Sequence, residues 1–257
     1  MPLKAMSGSR PSSERALIKL RPRDHPVIAT GIPLLDEVLQ GGFRKDSIIH
    51  LYGEPGSGKT TFAMQVMAHI MHEGWKGIWM DVNHAFSLDK FAKIVNNTKT
   101  LKTLMLVQPT SFQHQTQLLQ NIKFYLDRVG IVVVDPITHY YRAERFSEAS
   151  QGFFQELIDT QLGGLVGIAH MQKIPILVIN YATLEQNGAK VPLVARGFQR
   201  VERYRFYFCD KNKEEDQIKY LTIEYAPEKY AQQRVFSFQI SAAGITAFQL
   251  KPTEEAE

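Results

Sequence analysis

The sequence predicts an α/β protein, a three-layer αβα sandwich in which a mostly parallel sheet lies between two layers of helices. Three observations predict it. Apolar runs of strand length alternate with amphipathic segments of helix length. The runs are apolar at nearly every position, which suits parallel strands covered on both faces. One of them leads through a glycine-rich turn directly into a helix. With 257 residues, 44% hydrophobic and 22% charged, the chain can bury one substantial core.

The elements follow in chain order. Thr30-Gly31 opens a short helical segment with Ile32, Leu35, Val38 and Leu39 at apolar spacing, closed by Gly41-Gly42. Residues 47–52 read as a buried strand and 61–72 as a helix with Phe62, Val66, Met67, Ile70 and Met71 on its apolar positions. Strands are predicted over 77–81 and 104–107, and between them Ser87 caps a helix carrying Leu88, Phe91, Ile94 and Val95. A further helix is predicted over 116–128, with Leu119, Ile122, Leu126 and Val129 on one face. Residues 131–135 form an apolar strand that ends in a carboxylate. Residues 138–146 read as a polar, aromatic loop, 147–172 as a long helix and 175–180 as a strand. The segment 183–201 has no periodicity, which in a compact domain marks function or disorder. Residues 204–209, 218–225 and 235–240, with Gly244-Ile245, read as closing strands of the same sheet or a hairpin beside it.

The turn between the first strand and helix reads Gly53-Glu54-Pro55-Gly56-Ser57-Gly58-Lys59-Thr60, followed by Thr61. It fits at every fixed position the pattern of a glycine, four residues, then Gly-Lys-Ser/Thr. A helix N-terminus carries unpaired N–H groups and a partial positive charge, so it suits an anion. Glycines let the backbone curl around phosphates, Lys59 reaches the outer phosphate oxygens, and the Thr60 hydroxyl is placed to hold Mg²⁺. Strand, loop and helix together predict a nucleoside-triphosphate site. Asp135, closing its apolar strand, is the candidate second metal residue, although an Asp followed by Pro136 also suits a simple turn.

Composition narrows the setting. The 30 Lys/Arg and 26 Asp/Glu give a net charge of +4, and the segment 1–26 alone, with six basic and two acidic residues, carries all of it. That Pro/Ser-rich segment reads as a disordered tail, either a solvated leader or an arm for polyanions, ahead of a nucleotide-binding domain over 27–257. The single cysteine, Cys209, excludes an intrachain disulfide and a cysteine-based zinc site, and the eight histidines show no paired metal spacing. With no signal-peptide core and no membrane-length apolar run, a cytoplasmic protein is expected.

The stretch Thr30-Gly31-Ile32-Pro33-Leu34-Leu35-Asp36-Glu37-Val38-Leu39, with Gly41-Gly42-Phe43 and the phosphate loop, resembles the RecA superfamily. Within it the sequence is most similar to archaeal RadB-type recombinase paralogues and KaiC-like ATPases, from about Thr30 to Phe248. The resemblance implies ATP and Mg²⁺ as cofactors, with Thr60 and Asp135 at the metal. It places the γ-phosphate sensor at Asn180, although the usual following glutamine is Tyr181 here, and a turn-forming Asn is equally compatible. It places the water-activating glutamate at Asn83, in Asp81-Val82-Asn83-His84. An asparagine holds water but cannot take its proton, which implies tight binding and slow hydrolysis unless Asp81 or Glu54 substitutes.

The resemblance also makes 183–201 a DNA-facing loop, whose basic end runs through Lys190, Arg196, Arg200, Arg203 and Arg205 to track phosphates, with Phe198, Tyr204 and Phe206 interleaved. The same aromatics also fit a core strand. Filament-forming relatives carry an N-terminal DNA-binding domain and a phenylalanine-bearing strand, whereas the first aromatic here is Phe43, which favours a RadB-type accessory protein. Of the family's basic pair acting between subunits only Lys211 remains. Expected partners are single-stranded DNA, a RecA-family recombinase or further copies of the chain. The rival expectation is a KaiC-like nucleotide sensor that acts through a protein partner without DNA.

Overall fold

A computed structural model describes residues 26–144, 148–210 and 218–252. The expected tail before Pro26 and the residue Lys211 lie outside them. The chain enters through β1 (Val27–Ile28), which pairs antiparallel with β2 (Phe43–Arg44) around helix α1 (Pro33–Val38). The Thr30 hydroxyl accepts from the Ile32 N–H at 3.1 Å and the Thr30 N–H donates to Asp36 at 2.7 Å, so the Thr-Gly opening is a hydrogen-bonded turn. Then come β3 (Ile48–Gly53), α2 (Lys59–His72), β4 (Lys76–Asp81), α3 (Leu88–Val95), the single turn α4 (Thr98–Leu101) and β5 (Leu104–Val107). Ser87 caps α3 as expected, accepting from the Lys90 N–H.

Three expectations change in the second half. Helix α5 (Phe112–Asn121) starts earlier than predicted because Ser111 caps it, its Oγ accepting from the His114 N–H. Val129, expected on that helix, instead opens β6 (Val129–Asp135). The predicted loop at 138–146 is helical over α6 (His139–Glu144). After α7 (Glu148–Gln172), β7 (Ile176–Leu184) continues past Asn180 and β8 (Lys190–Pro192) folds back on it, followed by α8 (Ala195–Gln199). The aperiodic segment is therefore a hairpin and a helical turn, each piece too short to show a period. The chain closes with β9 (Glu202–Cys209), β10 (Ile218–Tyr225), β11 (Val235–Ser241) and β12 (Gly244–Leu250).

These strands form one sheet in the order β12-β11-β10-β9-β3-β7-β6-β4-β5, with β8 beside β7. Neighbours from β9 to β5 are parallel, while β10, β11 and β12 extend the same sheet antiparallel. Successive strand residues face opposite sides. Ile49, Leu51, Trp79, Ile131, Val133, Leu177 and Ile179 pack against α2. Ile48, Ile78, Met80, Val132, Val134, Ile176 and Val178 pack against the face made by α5, α7 and α8. Each fully buried Ile, Leu, Phe or Met stabilises the fold by roughly 1.5–3 kcal/mol. That is why the apolar runs carry few polar residues. Among the described residues no helix is long and apolar enough to cross a membrane.

Register aligns the strand ends that matter. Gly53 pairs with Tyr181 across β3 and β7, and Asp81 with Asp135 across β4 and β6. The carboxyl ends of β3, β7, β6 and β4 thus form one rim, the usual place for ligands in parallel α/β sheets.

Candidate functional site

Backbone sterics shape the glycine-rich loop. Gly53 has φ +144°, and a Cβ there would lie 1.9 Å from the Phe208 carbonyl oxygen of β9, so only glycine lets β3 leave the sheet here. Gly58, at φ +100°, is the N-cap of α2 and lies under Phe238 and Ile240. Phe62 is the first residue to make an intrahelical bond, to Gly58 O at 2.9 Å. The N–H groups of Lys59, Thr60 and Thr61 precede it and have no helical partner. They form the anion-facing end of the helix.

Lys59 is buried and donates to Gly53 O at 3.0 Å, Glu54 O at 2.6 Å and Ser57 Oγ at 3.2 Å. Burial pulls its pKa down to about 8, against the opposing pull of Asp135 and Glu54. A desolvated cation of this kind gains most from an anion placed beside it. The Thr60 hydroxyl donates to Asp135 Oδ2 at 2.7 Å. Burial pushes the Asp135 carboxyl up to about 6, with the Thr60 bond and Lys59 opposing it and Asp81 adding to it. The residues brought together are thus a hydroxyl and a carboxylate, hard oxygen donors that suit Mg²⁺. Bound there, the ion would neutralise phosphate charge, and Thr60 and Asp135 are the residues that would hold it.

The candidates for handling water are arranged differently. Asp81 is buried and both of its oxygens have partners, Oδ1 accepting from the Ala85 N–H and Oδ2 from Gln108 Nε2, each at 2.9 Å. Glu54 forms an ion pair with Lys190, which ties the β7–β8 hairpin to the phosphate loop. Asn83 is half-buried in the turn after β4, near enough to Tyr181 to oppose the rise that burial imposes on the Tyr181 pKa.

Asn180 is fully buried and every polar atom of its side chain is engaged. Its Oδ1 accepts from Thr138 Oγ1 at 2.6 Å, and its Nδ2 donates to Leu193 O at 2.7 Å and to His50 Nε2 at 3.2 Å. His50 Nδ1 in turn lies 2.6 Å from Glu202, which is paired with Arg205, and the imidazole stacks on Phe198 at 3.7 Å between centres. Burial holds the His50 pKa below its usual value despite Glu202. Burial of Glu202 is outweighed by its bonds from His50 and Arg205, which keep it ionised. A neutral imidazole that donates to Glu202 and accepts from Asn180 satisfies every member.

The basic residues expected to face DNA are only partly brought together, since Arg200 and Arg203 line one cleft and Lys190 is set apart from them. Lys190 sits at the phosphate-loop end beside Glu54, whereas Arg203 follows Glu202, which pairs with Ile48 at the opposite end of the strands. Arg196 and Arg200 are exposed on and just after α8. Phe198, Tyr204 and Phe206 are core residues, which settles the alternative left open for them.

Sequence reasoning missed several groups at this rim. Lys90 Nζ donates to Thr61 Oγ1 at 2.6 Å, placing a second cation on the first turn of α2. His139, Arg142 and Tyr181 converge beside Asn83. None carries a spacing signal, because each contact joins residues far apart in the sequence.

The comparisons with known proteins agree with this frame. A family profile described as Rad51 matches residues 23–200. The DNA repair and recombination protein RadB of Methanococcoides burtonii is 31% identical over 161 residues, 61% of this chain and 71% of the relative. That of Pyrococcus furiosus is 30% identical over 189 residues, 70% of this chain and 80% of the relative. That of Thermococcus kodakarensis is 34% identical over 160 residues, 60% of this chain and 70% of the relative.

Proposed function

The chain belongs to the Rad51 family, as a RadB-type paralogue within the RecA superfamily, and from that premise we propose that it is an accessory protein of DNA recombination and repair. It binds ATP with Mg²⁺, hydrolyses it slowly, and associates with single-stranded DNA, a recombinase or both. The observation that carries this reading is the convergence of Lys59, Thr60 and Asp135 on the unpaired first turn of α2. The loop from Gly53 to Thr61 takes the phosphates, Thr60 and Asp135 take the metal, and Asn83 stands where a stronger base would sit. The domain that does this spans 27–257, after the basic segment 1–26.

For DNA, Arg196 and Arg200 have no ion-pair partner among the described residues and are free to take phosphates, with Arg203 beside them. Lys190 contributes when it exchanges Glu54 for a phosphate. The burial of Phe198, Tyr204 and Phe206 favours a second reading, because it removes the aromatic platform on which bases would stack. In that reading the protein is a KaiC-like nucleotide sensor acting through a protein partner.

ATP binding and turnover, measured with and without single-stranded DNA at two salt concentrations, separates the two. The first reading predicts DNA affinity falling with salt at a slope near −0.7 per phosphate contacted, flattened by up to about two units when Arg196, Arg200 and Arg203 are all alanine. ATP binding with no DNA affinity even at low salt selects the second.

A further inference from the structure

A second recess lies at the end of the sheet away from the phosphate loop. It is a cleft of about 360 Å³ at the amino end of β3, where Ile48 begins that strand and pairs with Glu202 at the start of β9. Gly53 closes β3 at its other end, so roughly 16 Å of strand separates the cleft from the phosphate loop. The two share no lining residue. The volume falls within the range of about 300–1,000 Å³ that ligand pockets occupy.

Charge in the cleft does not cancel. Its two acids are already matched: Asp46 lies 3.6 Å from His170 and accepts from Lys173 at 3.3 Å, while Glu202 is held by His50 and Arg205. Arg200 and Arg203 line the same cleft, and neither has an ion-pair partner among the described residues. A guanidinium presents five N–H donors in a planar fork that fits phosphate oxygens, so these two are the donors left over for an anion. The lining also includes Tyr225, 44% exposed at the end of β10. Among the described residues no hydrogen bond or ring contact holds its side chain, which leaves the ring free to lie against a ligand. The rest of the surface is largely apolar, with Val166, Val201 and Pro227. Cations for phosphates beside an exposed ring for a base are what a single strand needs. An acidic peptide would satisfy the arginines but gives the ring no comparable partner.

We propose that this cleft is the anchoring site for single-stranded nucleic acid, with Arg200 and Arg203 on the phosphodiester and an unpaired base against Tyr225. The proposal rests on the reading that the protein associates with single-stranded DNA. It gives that strand the stacking surface which the burial of Phe198, Tyr204 and Phe206 takes away. A ring stacks only on an unpaired base, so a duplex is held by the arginines alone and more weakly. Nucleotide and strand then occupy opposite ends of β3, and one chain can hold both at once.

Binding of a fluorescent oligothymidylate, followed by anisotropy at several salt concentrations, tests the site. Arg200→Ala combined with Arg203→Ala should flatten the salt slope by about 1.4, two phosphate contacts at about 0.7 each. Lys99→Ala combined with Lys102→Ala, which removes the same two charges from the α4 turn, should leave the slope unchanged. Tyr225→Leu should weaken binding about five- to 150-fold and leave the slope as it is, because the lost ring is uncharged. Tyr225→Trp should restore the affinity. A strand carrying iodouracil, irradiated in the complex, should crosslink to Tyr225. If the arginine pair keeps the wild-type slope and Tyr225→Leu keeps the wild-type affinity, the cleft is overturned while DNA binding itself stands. A polyglutamate peptide that occupies the cleft where the oligonucleotide does not would make it a peptide site and overturn the assignment as well. A wild type that binds no oligonucleotide even at low salt removes the reading beneath the proposal, and the cleft with it.

Discussion

Two polar assemblies lie within a few residues of each other on this sheet, and they differ in how completely their groups are satisfied. At the phosphate loop, Lys59 rests on the loop's own carbonyls and Thr60 on Asp135, while the first-turn N–H groups of α2 have no helical partner. Beneath the β7–β8 hairpin, Thr138, Asn180, His50, Glu202 and Arg205 form a chain in which each buried donor and acceptor is matched. An unsatisfied cluster next to a rim gains free energy from a ligand, whereas a saturated one gains nothing and holds segments together instead. The difference teaches that a polar residue at a strand end is a ligand contact or a strut according to the bookkeeping of its hydrogen bonds, not its identity.

The largest effect expected from breaking this contrast is at Lys59. Lys59→Ala should lower ATP affinity by about 100-fold or more, the scale of a lost charge-assisted contact, and leave the melting temperature nearly unchanged. Titration calorimetry checks it, and unchanged affinity in a folded variant would remove the phosphate-loop assignment. In the second assembly the effect moves from binding to stability. Asn180→Ala strands the Thr138 hydroxyl, the Leu193 carbonyl and His50 Nε2, and should cost about 3 kcal/mol in a urea melt.

A smaller effect is expected from pH. Folding holds the His50 pKa below its unfolded value of 6.5, so the unfolded chain binds the extra proton first as pH falls. Stability is therefore full above that value and lost below it, by at most about 1.4 kcal/mol per pH unit, until the folded imidazole also protonates. Glu202, held ionised, adds a separate loss only below its unfolded value of 4.5. Stability curves at several pH values should show the first window in the wild type and a shallower one in His50→Gln, where the lowered pKa of His139 still contributes.

Much of this was legible in the sequence because it is local. The phosphate loop declares itself through eight contiguous residues, and the parallel core through apolar runs that need no long-range information. Ser87 is readable as a cap for the same reason, while Ser111 is not, because the apolar spacing starts later than the helix does. Asn180 reads equally as a phosphate sensor or a turn former, and its bond to His50, far back in the chain, leaves no mark in the sequence. Likewise Lys190 is close in sequence to Arg196, Arg200 and Arg203, but β8 carries it to the phosphate-loop end while Arg200 and Arg203 meet at the other.

The most direct test of the contrast is the affinity for ATP with Mg²⁺ in Asn180→Ala beside the wild type, at a temperature where both are folded. A strut predicts dissociation constants within about threefold of each other, despite the variant's lower stability. A folded variant whose affinity falls tenfold or more would place Asn180 on the nucleotide and contradict the account.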